Sequence, residues 1–438
     1  MQPYQRLAAL GTAIPDIVLP RPEMDITKWA IIACDQFTQD QDYWEAVKDT
    51  VGVAPSAFHL ILPEIYLEDG DREERIRRIH RTMDAYMAAD ILAPPRRGCV
   101  YVERSTPQHP LRRGLVIAVD LEQYDWKPEA HSLIRATEGT VKERLPPRME
   151  IRRGAPLEIP HVILLIDDEE DVLLPGLGER AKKKLPLYNT PLMMDSGGIS
   201  GWLLDQEADW AYLAEGLERL VQVGEAFLYA VGDGNHSLAA AKAVWEEYKA
   251  LHAGTPRLME HPGRWALVEV ENLYDPGISF EPIHRLLFGP DRGEVLNALS
   301  TLPGFSSRPI NSREELSQLV GDPEATNTRL GLIASNAYIL IETEGLATDS
   351  LQPLLDSLVK GSSKKAMPYS IDYIHGEAGV FQEAPDPEHP QVGILLPPVK
   401  KNGLFKTVAQ RGPLPRKSFS MGEAWEKRFY LESRKLLY

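Results

Sequence analysis

Cysteine is nearly missing from this 438-residue chain: Cys34 and Cys99 are its only two, they stand far apart, and no Cys-x-x-Cys occurs. A disulfide framework and a thiolate zinc site are thereby excluded, and a reducing cytoplasm is the expected setting. Long apolar runs are lacking as well. The longest, such as Val162 to Ile166, are strand length, and the opening Met-Gln-Pro-Tyr-Gln-Arg does not lead into a sustained apolar stretch, so neither export nor a membrane span is expected. Positive charge is in deficit, with 48 Lys and Arg against 64 Asp and Glu and a net charge of −16. Such a chain repels a polyanion unless its bases are gathered, so no nucleic-acid partner is expected and small anionic ligands remain. His-Glu-x-x-His, Gly-x-Ser-x-Gly and the P-loop pattern are absent, which sets aside zincin, serine hydrolase and P-loop chemistry.

What is present is an ordinary globular composition, 43% hydrophobic and 26% charged, with a length that suits two or three compact units. Short apolar runs predict strands at 30–34, 99–102, 115–121, 161–166, 227–231, 265–270, 331–341 and 392–396. Helical spacing predicts helices over 71–92, with Ile76, Ile79, Met83, Tyr86 and Met87 on one face, and over 206–223, with Trp210, Leu213, Leu217 and Leu220. This alternation points to an α/β or α+β fold of mixed sheets with packed helices. The texture changes after Phe288-Gly289-Pro290, so the chain divides into an N-terminal unit, 1–290, and a C-terminal unit, 291–438, that contributes a basic segment. Residues 187–203, containing Asp195-Ser196-Gly197-Gly198, read as a long loop, either a lid or a plain surface excursion.

The most informative stretch is Phe227 to Trp245. An apolar strand passes through Gly232-Asp233-Gly234-Asn235-His236-Ser237 into a helix whose Leu238, Ala241, Trp245 and Tyr248 form an apolar stripe. Two glycines permit positive φ and close approach of a ligand, and the first turn of the helix offers unpaired N–H groups at the positive end of its dipole. Phosphate or carboxylate is the expected guest. The structural alternative is an Asx turn capping the helix.

Basic residues gather in two places. Residues 135–153 hold Arg135, Lys142, Arg144, Arg148, Arg152 and Arg153 among three glutamates, one of which, Glu138 beside Gly139, is a candidate base or metal ligand. Residues 400–417 hold six more, ending in Arg416 and Lys417, while Ser420 and Glu423 have capping-box spacing for a final helix. Glu269, Asn272 and Asp275 offer oxygen atoms to a hard cation, or serve a turn. His161 and His284, beside prolines, read as packed or turn histidines.

The ordered set 29–35, 135–140, 148–153, Gly232 to His236, 272–285, Tyr373-Ile374-His375-Gly376 and 415–421 resembles the bacterial domain-of-unknown-function family 1015. The central turn is similar to the Asp-Gly-His-His-Arg type element of the ParB and sulfiredoxin-like superfamily, which includes free serine kinases. The resemblance implies a strand-turn-helix holding nucleotide phosphates, with an acidic residue associated with Mg²⁺ and phosphoryl transfer. Asp233 corresponds to that residue and His236 to the final histidine of the turn. Asn235 stands where the first histidine is usual, and Ser237 replaces the arginine.

These readings converge on a small-molecule phosphotransferase, a nucleotide-dependent kinase of free serine or a related hydroxyl metabolite, using ATP or ADP and Mg²⁺. Asp233, His236 and Glu138 are its candidate catalytic residues, with Asp233 also the metal ligand. Gly232, Gly234, Asn235, Ser237, Arg135, Arg148, Arg416 and Lys417 are expected to hold phosphate. Two alternatives stand beside it: a non-catalytic nucleotide or phosphometabolite sensor, and a ParB-like DNA-associated protein.

Overall fold

The computed structural model describes residues 1–438 apart from 225–226, 336, 346, 364, 366, 385–390 and 437–438. The fold is mixed α/β, in two compact units. The first comprises Met1–Ile278, Gly403–Pro413 and Ala424–Tyr438, and the second comprises Ser279–Asn402 and Leu414–Glu423.

In the first unit the strands lie in the order Tyr188–Pro191, Gly198–Leu204, Cys99–Ser105, Arg112–Asp120, Trp265–Asn272, Ile163–Ile166, Tyr229–Asp233, Ile134–Ala136 and Tyr124–Asp125, with Thr12–Ala13 pairing beside Arg112–Asp120. Both faces are covered. Cys99, Tyr101, Leu115 and Ile117 enter one apolar cluster, while Val100, Val102 and Val116 enter another. A strand buried on both sides needs no polar alternation, which is why these segments read as continuous apolar runs. The predicted helices supply the covering layers. Arg72–Ala88 places Ile76, Ile79 and Met83 in the second cluster, with Tyr86 and Met87 partly buried against it. Glu207–Val223 and Asn235–Leu251 place Leu213, Leu217, Leu238, Ala241 and Trp245 in the first.

Residues 187–203 are not a long loop. Tyr188–Pro191 and Gly198–Leu204 form an antiparallel hairpin pairing Tyr188 with Gly201. The glycine content that suggests a loop serves packing instead, since a Cβ at Gly201 would lie 2.2 Å from the Tyr188 ring.

The second unit is an antiparallel sheet in the order Ser306–Ile310, Ala337–Thr343, Thr328–Ala334, Gln391–Leu395, Phe280–Phe288 and Ser370–His375. The single strand expected over 331–341 is two strands of this sheet; Asn336, between them, lies outside the described residues. Ser420 does not cap a helix. Phe419–Met421 is a strand paired with Phe280–Pro282, and the Ser420 hydroxyl donates to the Gly422 carbonyl at 2.9 Å.

Candidate functional site

The turn after Tyr229–Asp233 forms as its sequence requires. Gly234 sits at the helix N-cap with φ 78°, and a Cβ there would lie 3.1 Å from Val162 Cα and 3.5 Å from His161 Cδ2. Only glycine meets both demands without strain. Lacking a side chain, Gly234 cannot cap the first helical turn, whose N–H groups have no intrahelical acceptor. The Asp233 carboxylate accepts from the Gly234 N–H at 3.0 Å, and the buried Oδ1 of Asn235 has no hydrogen-bond partner among the described residues.

The loop 137–141 runs beside this turn. The Thr137 hydroxyl donates to the Val231 carbonyl at 2.6 Å, and the Val141 N–H donates to His236 Nε2 at 3.2 Å. An acceptor at Nε2 leaves the proton of neutral His236 on Nδ1. Glu138 lies on the same loop, half-buried.

The cation nearest the acid comes from the chain's end. Lys427 Nζ is 3.5 Å from Asp233 Oδ2, and its side chain is 7% exposed. Two short ladders position it: Phe429 and Tyr430 pair with Ile32 and Ile31, and Arg434 and Lys435 pair with Glu158 and Leu157. Buried ion pairs pin the same segment. Arg428 meets Glu269 and Glu432, and Arg104 donates to the carbonyls of Trp425, Glu426 and Lys427. Glu269 is thus a partner of arginine. Asn272 is bonded to Asp168 and Asp171, and Asp275 to Arg113 and the Gly277 N–H, so these oxygens serve the fold instead of a cation.

A second carboxylate, Asp35, joins the group because its backbone follows the strand that Tyr430 pairs with. Asp35 Oδ2 is 3.7 Å from His161 Nε2. Tyr430 closes the other side of that ring, 2.8 Å from Nδ1, while its hydroxyl accepts from the Cys34 N–H at 3.1 Å. When the ring is neutral, a hydroxyl that accepts from Cys34 donates to Nδ1 and the ring proton lies on Nε2, toward Asp35; when it is charged, Nδ1 donates to that hydroxyl and Nε2 still carries a proton toward Asp35. Burial pushes the Asp35 carboxyl up, but His161, Gln36 and Lys427 together hold it below the usual carboxylate range. His161 is packed, as expected, and also a member of this cluster.

Arg148 is brought to the neighbourhood of the turn. It pairs with Glu64, and both line a cavity shared with Ser237 and His161. Burial raises the Glu64 carboxyl above its ordinary value against the pull of Arg148. Arg135 is directed elsewhere: it donates to the Ser132 carbonyl and lies 4.7 Å over the Phe227 ring, at the opposite end of the strand from Asp233. Arg416 and Lys417 belong to the second unit. There Arg416 lies 3.6 Å from Asp356, and the Lys417 carbonyl accepts from Arg285 at 2.9 Å.

Asp35 lies within the segment 29–35 that carries the resemblance and His161 reads as packed, yet their roles and that of Lys427 escape motif reasoning because the three lie in different segments. For Lys427 the available signal is the charged run Glu426-Lys427-Arg428 before Phe429-Tyr430-Leu431, whose aromatic and aliphatic residues carry the chain inside. Among the described residues, no group of three or more His, Cys, Asp or Glu is gathered to hold a metal ion, and no helix is long and apolar enough to cross a membrane.

Residues 16–358 match the sequence profile of the family described as protein of unknown function (DUF1015). Among solved structures, a free serine kinase in complex with AMP is similar over 73% of this chain and 92% of its own, at 11% identity and a TM-score of 0.40. A conserved hypothetical protein from Pyrococcus furiosus is similar over 73% and 94%, at 10% identity and 0.37. SbnI with C-terminal truncation from Staphylococcus aureus is similar over 70% and 82%, at 11% identity and 0.36. The curated proteins contain no match to the sequence.

Proposed function

The chain belongs to the DUF1015 family, and from its own geometry we propose a phosphotransferase that moves a phosphoryl group from a nucleotide such as ATP to the hydroxyl of a small metabolite. The observation that carries this reading is Lys427 held 3.5 Å from Asp233 beside an uncapped helix N-terminus. Phosphoryl transfer asks chiefly for positioning and for neutralisation of charge on the transferred oxygens. The N–H groups of Asn235, His236 and Ser237 provide the first, and Lys427 supplies the fixed cation that Ser237 does not. Asp233 orients Lys427 and Gly234 together.

In this reading the acceptor hydroxyl oxygen attacks the terminal phosphorus, the bond to the nucleoside diphosphate breaks, and the hydroxyl proton passes to Asp35. A carboxyl held below its ordinary range is ionised at neutral pH, as a base must be. His161 fixes the orientation of Asp35, while Glu138 and His236, on the opposite flank, contact the acceptor or the phosphate. Among the described residues, side chains do not assemble a closed metal cage. Mg²⁺ arriving on nucleotide phosphates needs only one or two protein carboxylates, one of which Asp233 would provide. When bound, it would further neutralise the phosphate oxygens.

Incubation of the purified chain with terminally labelled ATP, Mg²⁺ and a panel of hydroxyl metabolites that includes serine tests the reading. Label should move to an acceptor, and Asp35→Asn should lower the rate by two orders of magnitude or more while leaving nucleotide affinity within about threefold. Tight nucleotide binding with no transfer to any acceptor would replace the enzyme with a sensor.

A further inference from the structure

The wall that holds the turn also closes a cavity, and its chemistry does not suit a small polar acceptor. His161 is the shared element. Its ring would lie 3.5 Å from a Cβ at Gly234, its Nε2 is 3.7 Å from Asp35, and it lines a cavity of about 120 Å³ together with Cys34, Tyr430 and Ser237. Behind this polar edge the lining is mostly aliphatic. Leu60, Leu62, Met83 and Leu157 come from segments at the second apolar cluster, and Ala240 comes from the second turn of the helix that begins at Asn235. Four charged residues also line it, but they are engaged in pairs, Glu64 with Arg148 and Glu158 with Arg152.

We infer that this cavity receives the apolar body of the acceptor, and that the acceptor is a hydroxylated compound carrying about four to six carbon atoms beyond its reacting hydroxyl. The inference rests on the phosphotransferase reading for the hydroxyl and on the cavity alone for the body. An apolar protein cavity of about 150 Å³ takes a benzene-sized guest, so this one is matched to a slightly smaller group. The polar end of the guest lies at His161 and Ser237, which turns its hydroxyl toward Asp35. Free serine, with no apolar body, would leave the aliphatic wall uncovered and gain nothing from it.

The experiment is calorimetry of straight-chain 3-hydroxy acids, from four to nine carbons, and of serine, with the intact chain. Affinity should rise about fourfold for each added methylene, the factor expected for burying one CH₂, and then fall once the cavity is full. Ala155 lines the cavity as Ala240 does, so Ala240→Leu and Ala155→Leu each put a larger side chain into it and should abolish that rise without changing nucleotide affinity. A flat or falling series from the shortest acid in the unaltered chain overturns the inference, as does a rise that persists in a variant that melts as the unaltered chain does. Should one variant fail to fold, the other variant and the chain-length series still decide. Label transfer to short acceptors with a flat series would sink the cavity inference alone, whereas a clear rise without any transfer would uphold the cavity and sink the phosphotransferase reading.

Discussion

A methyl group at position 234 would meet Val162 at 3.1 Å while its backbone is held at φ 78°. Gly234→Ala should therefore cost about 1–3 kcal/mol of stability through strain in the left-handed region, readable in urea unfolding, and should weaken phosphate-ligand affinity further by tilting the first helical turn. Lys427→Met tests the charge and not the backbone. Removing the cation beside Asp233 should reduce nucleotide affinity at least tenfold in calorimetry at low salt, and the difference should shrink as salt is raised. At this scale the turn was legible, because a strand, two glycines and a helix lie consecutively in sequence. The convergence of Lys427, Asp35 and His161 was not, since nothing local in any one of their segments states which carboxylate a lysine or a histidine will face.

Elements were legible where one periodicity governed them. The stripes of Ile76, Ile79 and Met83 and of Leu213 and Leu217 predicted helices that the structure contains. Residues 187–203 and Ser420 show where local chemistry misleads: Gly201 makes room for Tyr188, and Ser420 belongs to a strand whose pairing partner lies some 140 positions earlier. His284, in Phe280–Phe288, offers a check on this second sheet. Burial, with Arg285 and His375 adding to it, lowers the imidazole to about 4, and its Nδ1 accepts from the Leu396 N–H, a bond that protonation would remove. Because the folded value lies below the ordinary 6.5, the unfolded chain binds the extra proton first, so stability of this unit falls as pH drops from about 6.5 toward 4. Thermal unfolding across that window should show the loss, on the order of 2–3 kcal/mol, and His284→Asn should flatten it.

The first unit is held by a segment that sequence order places last. Residues 424–438 return to the first unit, and Arg428, 1% exposed at its side chain, joins Glu269 to Glu432 within it. Arg428→Met would leave two buried carboxylates without their cation, a change expected to cost about 3–5 kcal/mol. Denaturant unfolding should report that loss, and nucleotide affinity should fall with it because Lys427 is the next residue. Division into compact units follows from length and composition, but the return of the chain's end depends on long-range ladders such as Phe429 with Ile32, which no single window of sequence contains.

Diffraction from crystals saturated with ADP tests the central claim most directly. The account predicts phosphate density at the N-terminus of Asn235–Leu251, within hydrogen-bond distance of the Asn235 to Ser237 N–H groups and of Lys427 Nζ. Ordered nucleotide bound elsewhere, with Lys427 still paired to Asp233 and no density at that helix terminus, would contradict it.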